Sequence, residues 1–161
     1  MNKPLPLENE PALTFHSRDV VQLAQITFRQ LQWWDERHLV SPDQQKHQRL
    51  YRFDETVEMM LIAELRRKGY SLQRIRGLMR SLERRLLKAL NNGGEYPTLY
   101  VMTNGKSVSL ERDEDRMIDI LKQATQGTAI VSVTDQIESV HQYLTAADSK
   151  CERGKAATAG R

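Results

Sequence analysis

Along the first ninety residues, apolar side chains recur at three- and four-residue intervals, the period of helices packed on one face. In "FHSRDVVQLAQ", Val20, Val21, Leu23 and Ala24 supply the apolar side of a short helix capped by Ser17. After a break at Gln25 and Ile26, "TFRQLQWWDERHLVSP" opens with Thr27 and Gln30, the reciprocal Thr-x-x-Gln pair of a capping box, with Ile26 and Leu31 at the flanking staple positions. Successive helical positions project about 100° apart, so the two adjacent tryptophans cannot share a face. A helix beginning at Thr27 puts Leu31 and Trp34 on one side and Arg29, Gln32, Trp33 and Glu36 roughly opposite. Trp34 is therefore the predicted core residue, and Pro42 enforces the stop. Two short helices separated by a few residues, within residues 18–37, have the spacing of a helix-turn-helix.

Next, "DQQKHQRLYRF", residues 43–53, alternates basic with aromatic positions and reads as a β-hairpin or extended wing. Asp54 caps a third helix reaching Lys68, with Val57, Leu61, Ile62 and Leu65 at helical spacing and Gly69 as its left-handed terminator. Ser71 starts a fourth, with Tyr70 and Ile75 at staple positions. Its stripe of Ile75, Leu78, Met79, Leu82, Leu86 and Leu90 outruns what a small first domain needs, so Leu82 to Leu90 is expected to pair with another copy of the chain. "NNGGEYP" is a linker by composition. Beyond it, "TLYVMT" and "SVSL" flank Asn104-Gly105, a hairpin signal. Met117, Ile118, Leu121 and Ala124 mark a helix ended by Gly127, "AIVSV" a strand, and Ile137, Val140 and Leu144 a last helix after Thr134.

The predicted fold class is α+β: a mainly α winged helix-turn-helix domain followed by a short helix and a small ββαβα domain. Residues 1–14 read as a flexible N-terminus and 15–80 as the winged domain. Residues 81–97 read as a short helix and linker, 98–144 as a small α/β sensing or interaction domain, and 145–161 as a disordered tail.

Composition narrows the function. No apolar run is long enough to span a bilayer, and "MNKPLPLENEP" lacks the apolar stretch of a signal peptide, so a cytoplasmic location without membrane contact is expected. One cysteine, Cys151, allows no internal disulfide, and His16, His38, His47 and His141 are scattered, so neither a metal nor another cofactor is expected. Charge is uneven: residues 1–90 hold 16 Lys and Arg against 11 Asp and Glu, whereas residues 91–161 hold 8 against 10. The basic half favours a polyanionic partner.

The chemistry of the second helix agrees with that partner. Arg29, Gln30 and Gln32 around Trp33 are guanidinium and amide groups that suit base edges and phosphates, the alternative being that Trp33 covers a neighbouring helix. Lys46, His47, Arg49 and Arg52 on a projecting loop can clamp phosphates, adding affinity without sequence information. The second half has no phosphate loop and no nucleophile beside a base, which speaks against an enzyme. Its acids, Glu111, Asp113, Glu114, Asp115 and Asp119, surround a predicted helix start, where they favour the positive end of the dipole.

Taken in order, "VVQLAQITFRQLQWWDERHLVSP", "RLYRFDE" and "LIAELRRKGYSLQRI" resemble the MerR family of bacterial transcriptional regulators over roughly residues 15–80. The resemblance implies a sequence-specific regulator that binds double-stranded DNA as a homodimer on a near-palindromic promoter site. It would act on RNA polymerase indirectly, by bending and untwisting the DNA. Carried over by position, Thr27, Phe28 and Arg29 would lead the recognition helix into the major groove, Trp33 would press on the sugar-phosphate backbone, and Arg49 and Tyr51 would hold flanking phosphates. Three departures stand out: Gln32 replaces a usual arginine, His38 a usual glycine, and the wing lacks its customary glycine. The dimerisation helix is abbreviated, no metal-binding cysteines follow it, and the effector is left unidentified. MerR-like chaperone modulators, which bind a protein with a related fold, are the alternative.

Overall fold

The computed structural model describes residues 13–40, 42–45, 47–91 and 98–158. The chain opens with strand β1 (Thr14–His16) and runs directly into α1 (Ser17–Ala24). Helix α2 (Phe28–Glu36) follows, then the wing strands β2 (Asp43–Gln45) and β3 (Gln48–Arg52). Helices α3 (Phe53–Arg67) and α4 (Leu72–Asn91) complete the first half. The second half contains β4 (Tyr100–Thr103), β5 (Val108–Glu111), α5 (Glu114–Gln123), β6 (Ala129–Ser132) and α6 (Val133–Thr158). The α+β class and the order of elements from α1 onward agree with the sequence reading.

Several expectations need correction. Thr14 does not belong to a flexible start: β1 pairs antiparallel with β3, Phe15 opposite Tyr51, and so ties the chain's beginning to the wing. Helix α1 begins at Ser17 with His16 as its cap, and Asp19 accepts the His16 backbone N–H at 2.9 Å. Asp54 lies within the first turn of α3, whose cap is Arg52 and whose Glu55 carboxylate accepts the Arg52 backbone N–H at 2.8 Å. The expected disordered tail from Thr145 is instead a continuation of α6 as far as Thr158. Ser139, Thr145 and Ser149 each donate a hydroxyl bond to the carbonyl four residues back, satisfying their polar groups within that helix.

The largest correction concerns α4. The 20-residue helix is continuous, and Leu82, Leu86 and Leu90 are each at most 1 % exposed within a single chain. The stripe assigned to a second copy is therefore covered by this chain itself. Strand β5 packs on α4, while β6 and α6 pack on α3, so one apolar cluster runs from Phe15 and Trp34 through Ile62 and Leu86 to Val101, Val131 and Val140. The proposed boundary between two domains does not separate two cores.

Polar contacts secure the same junction. The Tyr70 hydroxyl donates to the Thr103 carbonyl at 3.4 Å, Arg85 donates to the Val108 carbonyl at 3.2 Å, and Tyr143 on α6 donates to the Asp19 carboxylate on α1. The β4–β5 turn sits against the α3–α4 corner: at Gly105, with φ of +87°, an added Cβ would come within 3.0 Å of the Tyr70 ring. The Asn104 side-chain oxygen accepts the backbone N–H groups of Lys106 and Ser107, both at 2.9 Å, so the turn spans four residues. In the second sheet, β4 lies between β5 and β6 and is antiparallel to both.

A polar cavity between the loop after α2, the start of α3 and the face of α4 holds Glu58, whose carboxyl is pushed up to about 8. Burial is the main cause, and the charges of Glu83, Asp54 and Glu55 add to it.

Two outcomes are expected. Leu86→Ala should cost about 2 to 5 kcal/mol, as for a buried leucine, and should cost the same amount at low and at high protein concentration; a loss recovered by raising the concentration would mean that Leu86 makes an intersubunit contact. The folded chain holds the Glu58 proton more tightly than the unfolded chain does, so stability from this group is complete below about pH 4.5 and is lost as pH rises towards 8. Glu58→Gln should accordingly raise the melting temperature much more at pH 8 than at pH 4.5, and an equal change at both would contradict the burial argument.

Candidate nucleic-acid interface

The start of α2 is fixed by the chemistry read from its sequence. The Thr27 hydroxyl accepts the Gln30 backbone N–H at 3.1 Å, and the Gln30 side-chain carbonyl accepts the Thr27 backbone N–H at 2.9 Å. Ile26 and Leu31 are both buried, as staple residues should be. Trp34 is 2 % exposed and Trp33 is 43 % exposed, so the two tryptophans divide as the helix phase requires.

The outer face of α2 carries Phe28, 59 % exposed, with Arg29, Gln32 and Trp33. A shallow recess is lined by these last three together with Thr27, Gln30 and Glu36. Within it the candidates are unequally available. Gln30 already commits its carbonyl to the cap, and the Gln32 amide donates to Glu36 at 3.1 Å. The Arg37 guanidinium lies over the Trp33 ring, 4.3 Å from its centroid, which holds the exposed indole in place and adds positive charge beside it. Arg29 is exposed.

The wing stands beside this face. Arg49 reaches across from β3 to Asp35 on α2, 2.9 Å away, so an ion pair ties the wing to α2. His47 is exposed near the tip with φ of 68°, and Lys46 lies outside the described residues. Two other wing candidates are placed differently from the expectation. Arg52 turns back onto α3, its guanidinium meeting Asp54 at 3.1 Å and Glu55 at 3.3 Å, because the acidic first turn of that helix competes for it. Tyr51 is a core residue at 1 % exposure rather than a surface phosphate contact, since β3 alternates and its pairing with β1 sets that position inward. Its hydroxyl is buried beside the Ser17 side chain and near Asp35 and Arg49, and is pushed up to about 12, first by burial and then by the Asp35 charge.

One group of residues escaped the sequence reading. His16, Ser17 and Arg18 line a cleft that faces the wing's Gln48, His47 and Arg49. The run "HSR" was visible, but its place beside the wing follows from the β1–β3 pairing, which a three-residue strand does not announce.

Among the described residues no group of His, Cys, Asp and Glu is arranged to hold a metal ion, and no helix is long and apolar enough to cross a membrane. Arg116 takes Glu111 at 3.4 Å, and Asp113 caps α5 by accepting the Asp115 backbone N–H at 2.9 Å. Residues 15–82 match the family model described as MerR HTH family regulatory protein. No curated protein matches the chain.

The two tryptophans offer a direct check of the helix phase. Trp34→Ala should cost roughly 3 to 5 kcal/mol of stability, as for a buried aromatic, while Trp33→Ala should leave the unfolding midpoint nearly unchanged; chemical denaturation of both variants would expose a reversed assignment.

Proposed function

We propose that the chain is a sequence-specific transcriptional regulator that inserts α2 into the major groove of double-stranded DNA, a reading supported by the match of residues 15–82 to the MerR HTH family regulatory protein model. The observation that carries this reading is the outward face of α2: Phe28, Arg29, Gln32 and Trp33 point away from a core that Leu31 and Trp34 seal from the other side. Thr27, Phe28 and Arg29 lead into the groove. Arg29 reads a base edge, and Trp33, steadied by Arg37, presses on the sugar-phosphate backbone. Arg49 and His47 follow the flanking strand from the wing, where their contribution is independent of sequence.

The reading includes a homodimer on a near-palindromic promoter site, with deformation of the DNA between half-sites acting on RNA polymerase indirectly. The α4 stripe does not supply the dimer contact, because its leucines are spent inside the chain. Leu87 on α4 and Ile118 and Leu121 on α5 remain as large exposed apolar residues for that purpose. The second half, through its packing on α3 and α4, is the part of the molecule that receives a signal.

The test is titration of labelled DNA from the chain's own upstream region, and of a shuffled duplex, at several salt concentrations with anisotropy as the readout. Preference for the native duplex with a steep salt slope is expected, and Arg29→Ala should remove about 1 to 3 kcal/mol of that preference. Equal binding of both duplexes by the wild type, or an unchanged preference in the variant, would count against base reading by α2.

A further inference from the structure

We propose that the polar cavity between the turn after α2, the start of α3 and the face of α4 binds a small zwitterion, a molecule carrying one ammonium and one carboxylate group, and that this ligand acts on α2. The site stands on the cavity itself, while its effect on DNA rests on the DNA-binding reading above. The cavity measures about 380 Å3, within the range of pockets that hold small molecules, and its lining residues lie between His38 and Leu87.

Charged side chains of both signs line it and are unequally engaged. Arg52, Asp54 and Glu55 pair with one another at the start of α3. That leaves Glu58 on α3 with Arg76, Arg80 and Glu83 on α4. Among the described residues neither arginine forms an ion pair with either glutamate. Glu58 has no hydrogen bond or ion pair of its own, although burial is the main influence on its carboxyl. The Nε of Arg76 is buried without a partner as well, its terminal nitrogen being taken by the Arg37 carbonyl. Both unmatched groups are costly, and opposite charges that share a cavity without meeting leave space for a ligand that meets both.

A ligand of one charge fits this lining poorly. A simple cation answers Glu58 and Glu83 and leaves the arginines facing it, and a simple anion does the reverse. A zwitterion answers both. Its carboxylate accepts from the guanidinium groups, and its ammonium donates to the glutamates. Val40, Met79 and Leu87 add an apolar wall for the carbon skeleton. An ammonium group beside Glu58 also takes the place of the proton that burial, with the charges of Glu83, Asp54 and Glu55, keeps on that carboxyl up to about pH 8.

Arg76 connects the cavity to α2. It donates to the carbonyl of Arg37, whose own guanidinium lies over the Trp33 ring, and the next residue, His38, lines the cavity with φ of 53°. A ligand carboxylate competes with that carbonyl for the same guanidinium, and a charged acceptor is the stronger one. Loss of the bond loosens the turn at the end of α2, so the ligand weakens DNA binding.

Calorimetric titration of the full-length protein near pH 8, where Glu58 gives up its proton, tests the site. Leucine and 6-aminohexanoate serve as zwitterions with charges close together and far apart. Each is compared with analogues lacking one charge, 3-methylbutylamine and 4-methylpentanoate for the first, hexylamine and hexanoate for the second. At least one zwitterion should bind, about ten-fold or more tighter than both of its analogues. Glu58→Gln and Arg76→Gln should each remove that advantage, and the raised melting temperature expected of Glu58→Gln separates lost binding from lost folding. Arg80→Ala, a change at an exposed position, should weaken binding with melting unchanged. An amine or an acid that binds as tightly as its zwitterion, or no binding by either zwitterion, would overturn the proposal.

The effect on α2 has its own readout. Saturating zwitterion should weaken binding of the native duplex several-fold in the wild type and leave Glu58→Gln unaffected. Zwitterion binding with unchanged duplex affinity would overturn the link to α2 and leave the site standing. A wild type that binds neither duplex would overturn the DNA reading, and the calorimetry would still decide the site.

Discussion

Burial of α3 on nearly all sides is the constraint on which the rest of the molecule depends. Val57, Met59, Met60, Leu61, Ile62, Ala63 and Leu65 are all sealed from solvent, and a helix apolar around most of its circumference has to be surrounded. Helix α1 covers one side, α4 another, and α6 with β6 a third. The small helix-turn-helix alone has too few elements to enclose it. The second half of the chain completes the enclosure, and the orientation of α2 then follows from α1, which packs on both α2 and α3.

Helix α2 is framed by backbone conformations that glycine adopts more easily. Gln25 before it and His38 after it have φ of 54° and 53°, and left-handed backbone costs a residue with a side chain about 1 to 2 kcal/mol. Local hydrogen bonds oppose that cost. Ile26 N–H reaches the Val21 carbonyl at 3.1 Å, His38 N–H the Asp35 carbonyl at 2.9 Å, and Leu39 N–H the Trp34 carbonyl at 3.2 Å, while Arg76 on α4 donates to the Arg37 carbonyl. His38, which departs from the family's glycine, therefore keeps the turn a glycine would make, because neighbours on two helices hold its flanks.

What was legible in the sequence was local. Thr27 with Gln30 marks a helix start because both partners lie within one turn, and Trp33 and Trp34 divide because helical phase is a property of the backbone alone. Gly69 and the Asn104-Gly105 turn are legible for a similar reason, a positive φ that few other residues take readily. Illegible features depend on partners distant in the chain. Nothing in "TFH" shows that it meets "LYR" 36 residues later, and without that pairing Tyr51 and Arg52 look like surface contacts when one is core and the other belongs to α3. The leucines of α4 were correctly read as apolar and assigned the wrong cover, since periodicity shows that a face is buried and says nothing of what buries it. The family match ends at Leu82, inside α4, the helix on which β5 packs.

The single core also bears on how this chain can change over evolutionary time. In a protein of two independent modules, a sensing unit can be exchanged by recombination in the linker, because each half carries its own folding information. Here Leu86 and Leu90, contributed by one half, are shielded by residues contributed by the other, and Tyr143 closes against Asp19 across most of the chain length. A foreign second half would arrive with the wrong shape for α4 and would leave α3 partly bare. The two halves are thus bound to drift together, each accepted substitution in the sheet being filtered by the fit of a helix on the DNA-binding side.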